Sequence, residues 1–138
     1  YKGNREHSSY LRWQHIVEAQ EAMLNDYKAV RVVIPEGTAI ENLRSAEYNT
    51  DGDLTIDGTH LGRGLARYTA ACTVYQTLFA PRTGISVEGN SYRYECSKAE
   101  RNSYPERCID VDDDNAPVAQ RAAMRACEDW HNIKQITQ

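Results

Sequence analysis

Residues 29–35 read Ala29-Val30-Arg31-Val32-Val33-Ile34-Pro35. A short apolar run rich in β-branched residues and stopped by proline predicts a buried β-strand. Such a strand needs neighbours, because each unpaired backbone N–H or C=O costs on the order of 1–3 kcal/mol when buried. No other segment of the chain is as strongly apolar and extended, whereas three segments carry apolar faces at helical spacing. The imbalance points to an α/β chain whose other parallel strands precede Tyr1. The alternative is a more irregular domain.

Working outward, Ser8 or Ser9 is a fair N-cap for a helix to about Tyr27, with Leu11, Ile16, Ala19, Ala22, Met23 and Tyr27 as its apolar set. A second, short helix is expected from Ala39 to Glu47. Tyr48 to Asp53 reads as turn material. Leu54-Thr55-Ile56 then leads into a glycine-containing loop. Arg63 to Phe79 is a clear helix whose Ala66, Ala70 and Ala71 permit close packing, ended by Pro81 and Gly84. Residues 83–105 are loop-rich, with a short strand near Tyr92 to Glu95. Pro117 opens a last helix to about Trp130, and the acidic residues before it suit a helix N-terminus. No internal repeat or low-complexity linker breaks residues 1–138, so one domain piece is the simplest organisation.

The totals bound the function. The chain has 138 residues, 41% of them hydrophobic and 26% charged, enough for one modest core. A net charge of -4 and a pI near 5.5 argue against a nucleic-acid surface. No apolar run approaches the roughly 20 residues that span a bilayer. The chain begins at Tyr1 without a signal-peptide pattern, which suggests a processing or expression boundary upstream. Cys72, Cys96, Cys108 and Cys127 form no CxxC pair, so zinc is a weak reading. Cys96 and Cys108 bracket a turn-rich segment that a bridge would close. Cys72 and Cys127 read either as buried thiols or as a second bridge. Disulfide use favours a secreted or periplasmic protein.

The loop after Ile56 carries the chemistry. In Asp57-Gly58-Thr59-His60-Leu61 a carboxylate and an imidazole stand three residues apart. One turn can aim an Asp oxygen at the near ring nitrogen and leave the far nitrogen free to accept a proton. That is two thirds of a Ser-His-Asp apparatus: His60 as general base, Asp57 as the group that holds its tautomer. Gly58 allows the tight turn. The bland alternative is an ordinary Asp-Gly turn.

Three stretches together carry a resemblance: Ile34-Pro35-Glu36-Gly37-Thr38-Ala39-Ile40-Glu41-Asn42-Leu43-Arg44, then Asp57-Gly58-Thr59-His60-Leu61, then Gly64-Leu65-Ala66-Arg67-Tyr68-Thr69-Ala70-Ala71. In this order, over roughly residues 8–90, the chain resembles the DUF4886 group of SGNH/GDSL-like hydrolases. The resemblance implies the C-terminal part of a flavodoxin-like three-layer α/β/α fold. It implies a serine-type ester hydrolase, with a carbohydrate acetylesterase within its range, that needs no metal or organic cofactor. The nucleophilic Ser and the oxyanion-hole Gly and Asn of that group belong to earlier sequence blocks with no counterpart here. Only Asp57 and His60 carry over. The partner implied is therefore the upstream half of the same hydrolase domain, joined covalently or bound as a separate chain. Residues 91–110 depart from the pattern and read as a variable insertion. The competing reading is a non-catalytic binding or interaction module that retains a hydrolase-like tail.

The remaining polar residues are weaker candidates. Ser86, in Gly84-Ile85-Ser86-Val87-Glu88, lacks the second Gly of a nucleophile elbow. Ser91 and Ser97 lie in polar loop sequence. His7, His15 and His131 show no His-x-x-x-His spacing. Asp110, Asp112, Asp113 and Asp114 suggest calcium, but Asn115 stands at the sixth loop position and Arg121 at the twelfth, where Gly and Glu are needed. A solvated helix cap fits better. Tyr68 and Tyr75, seven residues apart, read as helix packing residues, and Tyr92 and Tyr94 as one face of a short strand.

Overall fold

The computed structural model describes residues 9–46, 54–105 and 107–136. Helix α1 (Ser9–Asp26) forms where the apolar spacing places it. The residues it buries are Trp13 and Val17, one turn apart, while Leu11, Ile16 and Met23 of the expected apolar set remain exposed. The Trp13 indole N–H donates to Thr38 Oγ1 at 2.9 Å, and the Thr38 hydroxyl donates to the carbonyl of Trp130 at 2.7 Å. Trp13, Val17 and this relay help fasten α1 to the body.

The β-strand expected at Val30–Ile34 does not form among the described residues. The segment carries no regular secondary structure, and Val32 is exposed. The N–H groups of Arg31, Val32, Val33 and Ile34 have no backbone partner there. Propensity alone cannot make a strand, since ladder hydrogen bonds need a second chain segment. The turn expected at Tyr48–Asp53 lies outside the described residues.

Helix α2 (Glu36–Ser45) starts three residues earlier than expected. Pro35 takes the cap position and Glu36 puts a negative charge in the first turn, where the helix dipole favours it. Its inner face holds Ile40, Leu43 and the fully buried Asn42. The Asn42 amide donates to the Ala122 carbonyl at 3.1 Å and accepts the Lys134 N–H at 2.6 Å, so its burial leaves no polar atom stranded.

A short two-residue strand, β1 (Arg63–Gly64), runs into helix α3 (Leu65–Leu78). Pro81 does not simply end that helix. It sits in the first turn of a four-residue continuation, α4 (Ala80–Thr83), which Gly84 closes in the left-handed conformation. Within residues 83–105 a short helix, α5 (Lys98–Ser103), appears instead of continuous loop. Its signal is legible in Ser97-x-x-Glu100: the Ser97 hydroxyl accepts the Glu100 N–H at 3.3 Å and the Glu100 carboxylate accepts the Ser97 N–H at 2.9 Å, a reciprocal capping box. The strand expected near Tyr92–Glu95 reduces to one antiparallel bridge, Tyr94 with Val111. Strand β2 (Cys108–Ile109) pairs in parallel with β1, in the register Arg63 with Cys108 and Gly64 with Ile109. Helix α6 (Ala116–Glu128) closes the fold.

The fold is therefore mixed α/β and rich in helix, with a small parallel sheet. Its core lies between α2, α3 and α6. Ala116, Ala119, Ala122, Ala123 and Ala126 are buried on one face of α6, and these small residues let α3 approach closely. Buried hydroxyls on α3 are satisfied within the helix: Thr69 donates to the Leu65 carbonyl and Thr73 to that of Thr69, both at 2.9 Å. No helix among the described residues is long and apolar enough to cross a membrane.

Cys96 and Cys108 are joined by a disulfide, and Cys72 and Cys127 are free thiols. The bridge ties β2 to the segment ahead of α5. Closing a loop with sequence separation 12 removes unfolded-state freedom worth about 3 kcal/mol. Replacing both cysteines by serine is expected to lower the unfolding free energy in urea by about 2–4 kcal/mol. A midpoint shift below one fifth of the parent value would show that other contacts hold this end of the fold.

Candidate functional site

The Asp57–His60 bend is held by its own backbone. Thr55 and Leu61 form an antiparallel bridge. The Ile56 N–H donates to the His60 carbonyl at 2.7 Å and the Gly62 N–H to the Leu54 carbonyl at 2.8 Å. Gly58 takes φ 80°, a backbone region that favours glycine, and lets the chain double back. From outside the bend, Arg12 on α1 donates to the Gly58 carbonyl at 2.7 Å.

Inside the bend the Asp57 carboxylate is fully engaged. Oδ1 accepts the N–H groups of Thr59 at 3.0 Å and His60 at 2.8 Å, and Oδ2 lies 2.8 Å from His60 Nδ1. These contacts, led by the His60 N–H, then the His60 ring and the Thr59 N–H, hold the carboxyl well below its ordinary range, at about 2. An ionised carboxylate only accepts, so Nδ1 must carry the proton of the neutral ring and Nε2 keeps the lone pair. Nε2 makes no hydrogen bond to a described residue. The two side chains are largely exposed, 75% for His60 and 53% for Asp57. The spacing read from the sequence thus corresponds to a hydrogen-bonded acid–imidazole pair whose basic nitrogen faces outward.

The sign of the pH effect follows from the lowered carboxyl value. The hydrogen bonds of the bend stabilise the folded state fully above the ordinary carboxylate range, and that stabilisation is lost as pH falls through about 2. A carbon-detected NMR titration is expected to give an Asp57 midpoint well below the ordinary carboxylate range. A midpoint within that range would mean the bend opens in solution.

The structure brings no serine hydroxyl to this pair among the described residues. Ser86 faces Gln76 and Met124, at 3.4 and 3.5 Å. Ser97 is the α5 cap, and Ser91 is exposed in its loop. The other candidates fall elsewhere. His7 lies outside the described residues, His15 is exposed on α1, and the His131 ring lies against Trp130 at 3.8 Å. The acidic run is spread over several tasks. Asp110 accepts from the Cys96 N–H and from Arg101, Asp112 Oδ1 accepts the Asp114 and Asn115 N–H groups ahead of α6, and Asp113 pairs with Arg93. No cluster of three metal-binding side chains occurs among the described residues.

Sequence reasoning missed a cavity of about 680 Å³ between α3 and the segment 85–94. Two glutamines build it. Gln76 Oε1 accepts the Val87 N–H at 3.0 Å. The buried Gln120 accepts the Gly89 N–H at 2.9 Å and donates to the Asn90 carbonyl and the Tyr68 hydroxyl. These bonds fasten the loop to α3 and α6, with Val87 in the core. Tyr68, Cys72, Tyr75, Val87, Tyr92 and Tyr94 line the space. Burial pushes the Cys72 thiol up to about 11, so it is an inert wall and not a nucleophile. Tyr68 and Tyr75 do pack on the helix, as expected, but both also face this cavity, and its rings come from positions too far apart in the chain to form a recognisable motif.

No curated protein and no solved structure matches the chain. A family described as a domain of unknown function, DUF4886, matches residues 3–126. That span includes the bend, the disulfide and most of α6, and the chain belongs to the DUF4886 family.

Proposed function

We propose that this chain is the C-terminal part of a serine-type, SGNH/GDSL-like ester hydrolase, in which His60 is the general base and Asp57 fixes its tautomer. The observation that carries the reading is the 2.8 Å contact between Asp57 Oδ2 and His60 Nδ1, with Nε2 left without a partner among the described residues. A serine hydroxyl is a poor nucleophile at neutral pH. Nε2 would take its proton as the oxygen attacks the ester carbonyl, and the imidazolium, stabilised by Asp57, would return that proton to the leaving alcohol. Water then repeats the sequence on the acyl-enzyme with His60 again as base. No cofactor is needed for either half.

The serine comes, in this reading, from the upstream portion of the same hydrolase domain, continuous with Tyr1 or bound as a separate chain. The segment 30–34 supports such a partner: it is rich in β-branched residues, and the N–H groups of Arg31 to Ile34 lack described backbone partners, as a sheet edge awaiting a parallel neighbour would. The completed sheet would be the flavodoxin-like three-layer core. Acyl esters are the substrate class, acetyl groups on carbohydrate among them. The disulfide supports an oxidising, secreted or periplasmic setting.

The test is a fluorogenic acetyl-ester assay on the chain joined to its upstream portion, with and without His60→Ala. Turnover that collapses in the variant is the expected result. Equal turnover would leave a non-catalytic interaction module as the better account, a reading that the wide exposure of both side chains favours.

A further inference from the structure

We propose that the cavity between α3 and the segment 85–94 binds a neutral pyranose sugar. The proposal deepens the ester-hydrolase reading and rests on it in one respect: the bound sugar would be the alcohol half of the ester. Three observations point to this ligand class.

The first is size and wall chemistry. A volume of about 680 Å³ lies within the range of small-molecule sites, and the walls are mainly aromatic and aliphatic. The second is the disposition of the rings. Tyr92 stacks on the buried Tyr68 with centroids 5.9 Å apart and planes 17° from parallel, yet remains 56% exposed. Tyr68 therefore braces Tyr92 as a fixed platform. The hydroxyls of Tyr68 and Tyr94 are already committed to Gln120 and Glu100, so these rings contribute faces rather than polar groups. A flat ligand with a C–H face suits that surface.

The third observation is charge. Arg67 on α3 and Glu88 on the loop both line the cavity. Neither side chain makes a hydrogen bond or ion pair with a described residue, although the Glu88 N–H donates to the Ser86 hydroxyl at 3.1 Å. One cation and one anion, both unspent, favour neither an anionic nor a cationic ligand. They match a ring of hydroxyl groups, each of which can donate and accept. The loop that carries Glu88 is fixed by Gln76 and Gln120, so the site is formed before a ligand arrives. Gly64, which lines the cavity, is four residues from His60, so their Cα atoms lie within roughly 14 Å of each other.

The experiment measures binding without chemistry. The 138-residue chain is titrated with cellotriose, with xylotriose and, as an aryl-carboxylate control, with benzoate, following tyrosine ring signals and saturation transfer by NMR. The expected result is saturable shifts with at least one oligosaccharide and none with benzoate. Tyr92→Ala, an exposed position that the fold does not need, is expected to weaken binding roughly five- to tenfold. Absence of oligosaccharide binding would overturn the proposal, as would benzoate binding in its place or an affinity indifferent to Tyr92→Ala. Sugar binding that survives while the acetyl-ester assay fails would sink only the hydrolase reading. Ester turnover without sugar binding would sink only this one.

Discussion

Replacing Gly64 with alanine is expected to destabilise the chain by on the order of 4 kcal/mol or more, a large part of the 5–15 kcal/mol that holds a typical domain together. Gly64 joins β1 to α3 at φ 68° and ψ -115°, a combination that side chains strongly disfavour. It also pairs with Ile109 across the parallel ladder. A Cβ built on Gly64 would stand 1.8 Å from the Ile109 carbonyl oxygen and 2.9 Å from its carbon. Backbone atoms cannot swing aside as a flexible side chain can. Relief requires β2 to separate from β1, and β2 is tethered by the Cys96–Cys108 bridge. Gly37→Ala is the control. Gly37 lies within α2, and its Cβ would meet only the Trp13 Cδ1 atom of α1 at 3.7 Å, an ordinary contact, so alanine there should be neutral or stabilising by up to about 1 kcal/mol. Urea unfolding followed by circular dichroism reads both variants. A Gly64→Ala midpoint equal to the parent's would mean that the β1–β2 pairing does not persist in solution.

On the proposed ester-hydrolase reading, with the serine supplied by an upstream portion, His60→Ala should reduce kcat on an acetyl ester by about 10⁴- to 10⁶-fold, the scale lost when a catalytic base is removed from a triad. Asp57→Asn is the more discriminating partner. Its side-chain oxygen can still accept the Thr59 and His60 N–H groups, so the bend should persist. Its amide N–H₂, however, would face His60 Nδ1, and a donor facing that atom drives the ring proton to Nε2. The nitrogen that must accept a proton would then already hold one. A loss of roughly 10³- to 10⁴-fold is expected, with KM little changed and the fold intact by circular dichroism. Parent-like turnover in both variants would show that the pair has only a structural part in the bend.

The contrast between these residues and the 29–35 segment shows what a sequence can reveal. Asp57 and His60 meet because a three-residue spacing and a glycine are local facts, and local facts are legible. The long helices α1, α3 and α6 are legible for the same reason, to within a few residues at their ends. The Cys96–Cys108 bridge followed from a short loop. The Val30–Ile34 strand failed because a strand is a relation between two segments, and its β-branched residues describe only one of them. Helix α5 was missed although Ser97-x-x-Glu100 announces it, since its short polar body lacks an apolar stripe. The cavity had no local sign at all: Tyr68, Val87 and Tyr92 come together through long-range contacts, among them the tethers from Gln76 and Gln120.

The bend between Leu54 and Gly62 has one further consequence. Most acid–imidazole pairs depend on distant parts of a protein to hold each residue in place. This one closes its own ring with the Ile56–His60 and Gly62–Leu54 contacts, and it orients the imidazole with the same carboxylate that braces the backbone. Such a unit is portable. Transplanted as nine consecutive residues onto an unrelated hairpin, it should arrive already shaped, a ready-made proton acceptor for whatever hydroxyl the new host provides.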